Sequence, residues 1–158
     1  QNLKWRLTVH ELKGNFETGA QKVLIYSEDW TEQVEELRPS ISTVKHVVAM
    51  GPPGHADHHI SERDSMPVSL DDMPDLDLDD PWGIYYTGGT TGLPKGAVLT
   101  HGNVTWNSVN TITSWGITGR HKAALQLPFF HIGGPNIFMA PLVHAGGTTI
   151  LCTGFDPD

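Results

Sequence analysis

A segment rich in glycine and threonine holds most of the residues whose types and spacing could do chemistry. It follows the apolar run Pro81–Tyr86 and closes with Pro94-Lys95-Gly96. Glycines let a ligand approach the main chain closely, and successive N–H groups in such a turn form a concave anion site. Threonine hydroxyls and a lysine ammonium add donors and positive charge. The pattern predicts a polyphosphate-binding loop. Its candidate residues are Thr87, Gly88, Gly89, Thr90, Thr91, Gly92 and Lys95.

Two widespread phosphate-loop patterns do not fit this segment. A Walker loop needs Gly-Lys-Ser/Thr, whereas Lys95 follows a proline, and the G-x-G-x-x-G spacing is absent. Because glycine-rich turns are common, a hairpin loop without a ligand is the alternative. The full string YTGGTTGLPKG resembles the signature loop of the adenylate-forming superfamily of acyl-CoA synthetases, luciferases and peptide-synthetase adenylation domains. Gly88 stands where that loop commonly has serine, which removes a hydroxyl and keeps the backbone donors.

A second candidate segment, Pro128–Gly134, follows the strand predicted at 122–127. Ligands gather at the ends of strands in α/β sheets. The segment is similar to the P-x-F-H-x-x-G stretch of the same superfamily, which lines the carboxylate pocket near the junction of the acyl and CoA tunnels. The resemblance implies substrate-binding positions at Phe130, His131 and Gly134, with His131 as the candidate catalytic residue. A purely structural histidine is the alternative for His131.

The resemblance is strongest to acyl-CoA synthetases, which are carboxylate–CoA ligases. Such enzymes first join a carboxylate to the α-phosphate of ATP, releasing pyrophosphate, and then pass the acyl group from the adenylate to the CoA thiol. The resemblance implies ATP, Mg²⁺ and CoA as cofactors or co-substrates. It also implies that the 87–92 loop holds the phosphates, that the Thr87 hydroxyl helps to coordinate Mg²⁺, and that Lys95 covers the departing pyrophosphate.

Several parts of such an enzyme are missing from the sequence. We find no Y-G-x-T-E segment, no T-G-D segment and no small C-terminal domain with an adenylation lysine. We therefore expect a fragment of the large N-terminal domain that is inactive alone and whose partner is the rest of its parent chain. Its expected parts are α/β units at 1–50, a loop and acidic linker at 51–80, and the phosphate-loop hairpin, helix and acid-pocket segment at 81–158.

Two other functions stay open at this point. One is an adenylation module that loads a carrier-protein thiol, although the Pro128–His131 stretch favours the CoA ligases. The other is a non-catalytic nucleotide-binding domain that is complete as it stands, which predicts a well-folded monomer. Against it, the strands at both ends lack partners, and exposed strand edges would favour self-association.

The elements that must position these residues follow an alternating pattern. Helix, strand, helix and strand at this spacing predict parallel pairing, and so a partial layered α/β domain with mostly parallel strands. A capping box at Thr8 predicts the first helix, and Gly19 its end. Val34 and Leu37 should face inward from the second helix. The predicted strands are 22–26, 44–50, 81–86 (buried), 97–100, 122–127 and 148–152. The predicted helices are 8–19, 30–38, 100–115 and 135–145, the last bent or interrupted at Pro141.

The 51–80 stretch breaks this pattern. Three histidines and an aspartate at 55–59 could hold a metal, but a mobile, solvated surface loop is the favoured interpretation. The aspartates between Asp71 and Asp80 indicate a charged linker that leads into the phosphate-loop strand.

Bulk properties limit the classes of partner. The formal net charge of −8 at pH 7 argues against nucleic acid and anionic membranes. The single cysteine, Cys152, excludes an internal disulfide and fits a cytoplasmic location. No apolar run reaches the ~18 residues of a membrane-spanning segment, so we expect no integral membrane segment.

Overall fold

The chain folds into two compact units, described by a computed structural model. The structure describes residues 1–4, 6–52, 54, 56–67, 69, 71, 73–87 and 95–154. One unit comprises residues 5–74, and the other residues 1–4 with 75–158. Both mix helices with strands, and three of the four strand pairings described are parallel. The predicted α/β class with mostly parallel strands is confirmed, whereas the predicted division at 50 and 80 stays a prediction.

The unit of residues 5–74 is built on a parallel sheet of order β1-β2-β3. Its helices and strands are α1 (Val9–Gly19), β1 (Val23–Tyr26), α2 (Thr31–Leu37), β2 (His46–Ala49) and β3 (His58–His59). Single 3₁₀ turns lie at Glu28–Trp30 and Arg38–Ser40, and a longer one at Ile60–Ser65. The helices pack on the sheet through a small apolar core. That core contains Phe16, Leu24, Tyr26, Val34, Leu37, Ile41, Val47 and Ala49.

Local sequence rules explain the ends of α1. The Thr8 hydroxyl accepts a hydrogen bond from the Glu11 N–H, and the Glu11 carboxylate accepts one from the Thr8 N–H, which completes the predicted capping box. The C-terminal end lies where the sequence predicted it. Gly19 is the last helical residue, and Ala20 adopts the left-handed conformation with φ of 46°. Its N–H bonds the Phe16 carbonyl, which offsets the strain of a non-glycine residue there.

The histidine-rich stretch is not the mobile loop that the sequence suggested. His58 and His59 form β3, which pairs with Val48 and Ala49 of β2. Asp57 fixes this pairing, because its carboxylate accepts hydrogen bonds from the Val47 N–H and from the Arg38 guanidinium. No local pattern predicts this strand, since a two-residue strand depends on its neighbour rather than on its own sequence. His55 lies outside the described residues.

The other unit carries both candidate functional segments. An antiparallel hairpin of β4 (Pro81–Thr87) and β5 (Lys95–Thr100) leads into α3 (His101–Trp115). A parallel pair of β6 (Lys122–Leu125) and β7 (Thr148–Leu151) follows, joined by a π-helical turn (Pro135–Met139) and α4 (Ala140–Ala145). Helix α3 contacts β4 and β5 and also the π-helical turn and α4, so it lies between the two candidate segments. Cys152 is half-buried directly after β7.

Two expectations about this unit are corrected. Strand β4 is half-buried and exposed at its ends rather than buried, because β5 is its one partner among the described strands. The helix predicted at 135–145 is divided at Met139 rather than at Pro141, because the π-helical turn gives way to α4 there. Pro141 lies in the first turn of α4. No helix in the described ranges is both long enough and apolar enough to cross a membrane.

Candidate functional site

The loop end of the β4–β5 hairpin brings two predicted site residues face to face. Thr87 pairs with Lys95, and the Thr87 hydroxyl donates a 3.3 Å hydrogen bond to the Lys95 carbonyl. Both residues are exposed. The remaining predicted loop residues, from Gly88 to Gly92, lie outside the described residues. A hydroxyl and an ammonium therefore flank the ends of the glycine-rich segment.

Close packing holds the two strands of this hairpin in register. A Cβ at Gly96 would stand 2.8 Å from the Ile84 side chain, so glycine is needed for the strands to lie flat against each other. Trp82 and Tyr85 stack with ring centroids 6.2 Å apart. Partial burial raises the pKa of the Tyr85 phenol, which therefore stays uncharged at neutral pH. The part of the hairpin that adjoins the Thr87–Lys95 pair is thus closely packed and uncharged.

The start of α3 is fastened to the acidic approach segment. Thr100 caps the helix, and its side chain and that of Asn103 bond each other's backbone N–H. The His101 N–H donates to the Asp80 carbonyl at 3.0 Å, and the Gly102 N–H donates to the Leu78 carbonyl at 2.7 Å. These bonds occupy N–H groups of the first turn, so the predicted linker is an anchored segment. Helix α3 is thereby fixed at the end where it leaves the hairpin.

His131 sits in a tight turn after β6, with its ring oriented by the backbone. Its N–H donates to the Pro128 carbonyl, and its Nδ1 accepts a 3.1 Å hydrogen bond from the Gly133 N–H. Because Nδ1 is an acceptor, the proton of the neutral imidazole is on Nε2. The side chain is exposed, while Phe130 beside it is half-buried. His131 therefore presents a donor, Nε2–H, away from its own turn.

Gly134 has a clear packing role in the same turn. It is buried, and a Cβ there would stand 2.7 Å from the Pro128 carbonyl oxygen and 3.1 Å from that of Leu127. Since both neighbours are backbone atoms, neither can move aside cheaply. The glycine lets the chain fold back on itself and so sets the position of His131.

Sequence reasoning missed two asparagines that brace this region. The Asn107 side-chain amide on α3 donates a 2.8 Å hydrogen bond to the Asn136 carbonyl in the π-helical turn. The Asn2 side chain donates a 3.2 Å bond to the Phe129 carbonyl. Each bond joins residues far apart in sequence, so no spacing pattern could reveal it. π-helical turns are frequent at functional sites, and Asn107 connects this one to the helix that follows the hairpin.

One cleft in the described part of this unit lies away from these residues. It has a volume of about 380 Å³ and is lined by Leu76, Asp77, Leu78, His101 and Thr105. These residues adjoin the Pro81–Thr100 end of the hairpin, whereas Thr87 and Lys95 lie at the other end. The predicted phosphate-binding residues therefore lie at the loop end of the hairpin and not in this cleft.

Comparison with known proteins finds similarity along the whole chain. A feruloyl-CoA synthase of Amycolatopsis is 36% identical over 155 residues, which cover 98% of this chain and 29% of that protein. An indoleacetate–CoA ligase of Aromatoleum aromaticum is 34% identical over 158 residues, which cover 99% of this chain and 31% of that protein. The crystal structure of ATP-bound MatB from Rhodopseudomonas palustris matches with a TM-score of 0.81 at 26% identity, over 99% of this chain and 30% of that one.

The chain thus spans about 30% of the length of the curated relatives it matches. That share is consistent with the predicted fragment of the large N-terminal domain, and the α/β fold agrees with that of the acyl-CoA synthetase structures. The family model for AMP-binding enzymes matches residues 1–158. With its glycine- and threonine-rich hairpin and its His131 turn, this chain belongs to the family of AMP-binding, adenylate-forming enzymes.

Proposed function

We propose that the chain is part of an ATP-dependent acid–CoA ligase. The observation that carries this proposal is the pairing of Thr87 with Lys95 at the two ends of the glycine- and threonine-rich segment, in a chain similar to CoA ligases throughout its length. The arrangement offers a hydroxyl, an ammonium and glycine backbone to one polyanion. ATP is that polyanion in this proposal, in keeping with the ATP-bound state of the similar MatB structure.

The hairpin supplies phosphate binding in this mechanism. The Gly88–Gly92 backbone holds the β- and γ-phosphates, and the Lys95 ammonium stays with the pyrophosphate as it departs. The Thr87 hydroxyl donates its hydrogen bond to the Lys95 carbonyl, which leaves the lone pairs of its oxygen available as a hard ligand of the kind Mg²⁺ prefers. Mg²⁺, when bound there, supplies charge neutralisation on the phosphates.

The turn after β6 handles the carboxylic acid and the thiol. Phe130 and His131 contact the acid in this proposal, and Gly134 keeps the turn closed behind them. The Nε2–H of His131 donates a hydrogen bond to the acyl group as CoA attacks the adenylate. Holding the acid in line with the α-phosphorus is the main task of these residues, because alignment alone accounts for much of such a rate enhancement.

An apolar, aromatic carboxylate is the substrate class that we infer. Phe130 and the neighbouring Phe129 and Ile132 are apolar. Two similar proteins are a feruloyl-CoA synthase and an indoleacetate–CoA ligase, whose named acids both carry an aromatic ring. Aromatic rings pack well against phenylalanine.

The chain alone is inactive in this proposal, because ribose binding and the adenylation lysine belong to other parts of the parent protein. The parent is cytoplasmic, in line with the single cysteine of this chain and the need for ATP and CoA.

Sequencing the reading frame beyond both ends checks directly whether the chain is part of a longer ligase. A frame that continues into Y-G-x-T-E, T-G-D and a lysine-bearing domain supports the proposal, and a frame that stops at both ends contradicts it.

The acceptor assay separates the ligase from its closest alternative, a module that loads a carrier protein. The intact parent is given ATP, Mg²⁺ and an aromatic acid, with either CoA or a phosphopantetheine-bearing carrier protein as thiol. We expect acyl-CoA and AMP with CoA, and little transfer to the carrier. Exclusive transfer to the carrier would replace the ligase with an adenylation module, and release of neither AMP nor thioester would favour a non-catalytic nucleotide-binding domain.

His131 offers a matched pair of substitutions in the intact parent. His131→Asn keeps an acceptor near Nδ1 for the Gly133 N–H, whereas His131→Gln reaches the position of Nε2. We expect Asn to preserve the turn but to lower the rate of thioester formation by roughly the 10²-fold or more typical of a lost transition-state donor. Gln should retain more of that rate. A KM for ATP that rises selectively in both variants would contradict the role in acid and thiol handling.

A further inference from the structure

A pair of histidines on the first sheet lies outside the proposed active site. His46 begins β2 and His58 begins β3, and Val48 is the partner of His58 in the parallel pairing. Side chains alternate along a strand, so His46 lies on the same face as Val48 and hence on the same face as His58. The two imidazole centroids are 5.6 Å apart, with their planes inclined by 43°. The two imidazole rings therefore lie beside each other on one face of the sheet.

Glu62 sets the orientation of His58. The Nδ1 of His58 lies 3.1 Å from Oε2 of Glu62, and Oε1 accepts a 2.8 Å hydrogen bond from the His59 N–H. Both carboxylate oxygens of Glu62 are thus engaged, one by the His58 ring and the other by the His59 N–H. Because a carboxylate only accepts, Nδ1 carries the proton and Nε2 keeps a free lone pair. A carboxylate behind the far nitrogen is the usual setting of a metal-binding histidine.

The spacing of the rings suits a shared ion. With metal–nitrogen distances of about 2.0–2.1 Å, two imidazoles on one tetrahedral ion have centroids roughly 5 Å apart. The observed distance exceeds this by an amount that a small change in side-chain torsion removes. The His46 ring is exposed and makes no hydrogen bond to the residues that the structure describes. Within those residues, no three His, Cys, Asp or Glu side chains converge, so water would complete the coordination.

We propose that His46 and His58 bind one divalent transition-metal ion, with Glu62 as the residue that orients His58. Imidazole ligands suit Zn²⁺, Ni²⁺ and Cu²⁺, with Cu²⁺ the tightest of these and hard ions such as Mg²⁺ excluded. The ion bridges β2 and the two-residue strand β3, and so fastens the edge of the sheet. This site is independent of the proposed ligase activity.

Metal titration of the 158-residue chain tests the proposal. Calorimetry with Zn²⁺ should give one ion per chain in the wild type. His46→Asn and His58→Asn should each weaken binding at least tenfold, and Glu62→Gln should weaken it about tenfold, in the range known for residues that orient a ligand. His10→Asn and His144→Asn remove exposed histidines elsewhere and should leave the affinity unchanged. Unchanged binding in His46→Asn or His58→Asn would overturn the site, as would a wild type that does not bind Zn²⁺.

Histidine ring NMR of the wild type gives a second measurement that needs no variant. On addition of Zn²⁺, the ring resonances of His46 and His58 should move together and reach their end point at one equivalent. The Asp57 amide, which donates a 2.9 Å bond to the Val47 carbonyl, should exchange more slowly once the strands are bridged. Resonances of other histidines moving first would contradict the assignment even if a variant proved unstable.

Discussion

Single side chains in this chain are placed by backbone bonds as much as by packing. Motif comparison identified His131 and Gly134, but only the structure gives a physical reason for each. His131 Nδ1 accepts from the Gly133 N–H, and Gly134 leaves room for the Pro128 carbonyl. Asn107, which braces the adjoining turn, carries no local pattern and was not predicted.

Gly134→Ala should destabilise the unit of residues 75–158. The new Cβ would meet the Pro128 carbonyl at 2.7 Å, and relieving such an overlap in a packed region costs roughly 1–3 kcal/mol. Gly154→Ala is the control, since a Cβ there meets nothing within 4 Å. Urea unfolding monitored by tryptophan fluorescence provides the measurement. Equal stability of the two variants would show that the turn has more room than its backbone distances indicate.

Asp57 should make stability depend on pH in the acid range. The Val47 N–H bond, followed by the Arg38 guanidinium, lowers the pKa of Asp57 in the folded chain below 3.8. A lowered folded pKa means that the stabilisation is complete above the unfolded pKa of about 3.9 and is lost as pH falls through the folded value.

Thermal melts from pH 7 to pH 2.5 test this expectation. Wild type should be more stable than Asp57→Asn near neutral pH, and the difference should shrink as pH falls below 4. Asp64→Asn removes an equal charge from an exposed site beside Arg63 and serves as the control. A difference between wild type and Asp57→Asn that stays constant with pH would contradict the role of Asp57.

At the scale of elements, local rules anticipated most of the helices and strands. The capping box at Thr8 and the apolar runs of β1 and β2 depend on near neighbours. The structure adds two further local features, a capping box at Thr100 and a left-handed Gly116 after α3. Strand β3 was not predicted, because it forms by pairing with β2. The π-helical turn was not predicted either, because its contact with α3 joins residues far apart in the sequence. Prediction failed where tertiary partners, rather than local propensity, decide the backbone.

Thr100→Ala tests the capping of α3, the helix between the two candidate segments. Its hydroxyl accepts from the Asn103 N–H at 3.2 Å, and losing such a cap costs about 1 kcal/mol. Thr113→Ala is a matched change inside the same helix, at an exposed position where alanine has the higher helix propensity. Denaturation should show Thr100→Ala less stable and Thr113→Ala equal or more stable. If Thr113→Ala were the less stable of the two variants, the capping role of Thr100 would be wrong.

At the scale of the whole molecule, the family and the fold class followed from one loop and from the alternation of helices and strands. The chain spans about 30% of the length of its curated relatives, so the ribose-binding segment and the adenylation lysine of the proposed ligase belong to other parts of the parent. The acid itself is not encoded in a local pattern, since residues that line a pocket come from distant parts of a chain. Phe130 contributes only an apolar surface to that choice.

Carboxylate-dependent exchange of pyrophosphate into ATP by the intact parent tests the central claim most directly. Gly89→Val adds a branched side chain where the phosphates must approach the backbone, and we expect it to lower exchange by at least 10²-fold with the fold retained. Gly14→Val adds the same side chain at a position in α1 where a Cβ meets nothing within 4 Å, and it should exchange like the wild type. Exchange by Gly89→Val at the rate of Gly14→Val would contradict the assignment of this loop to ATP.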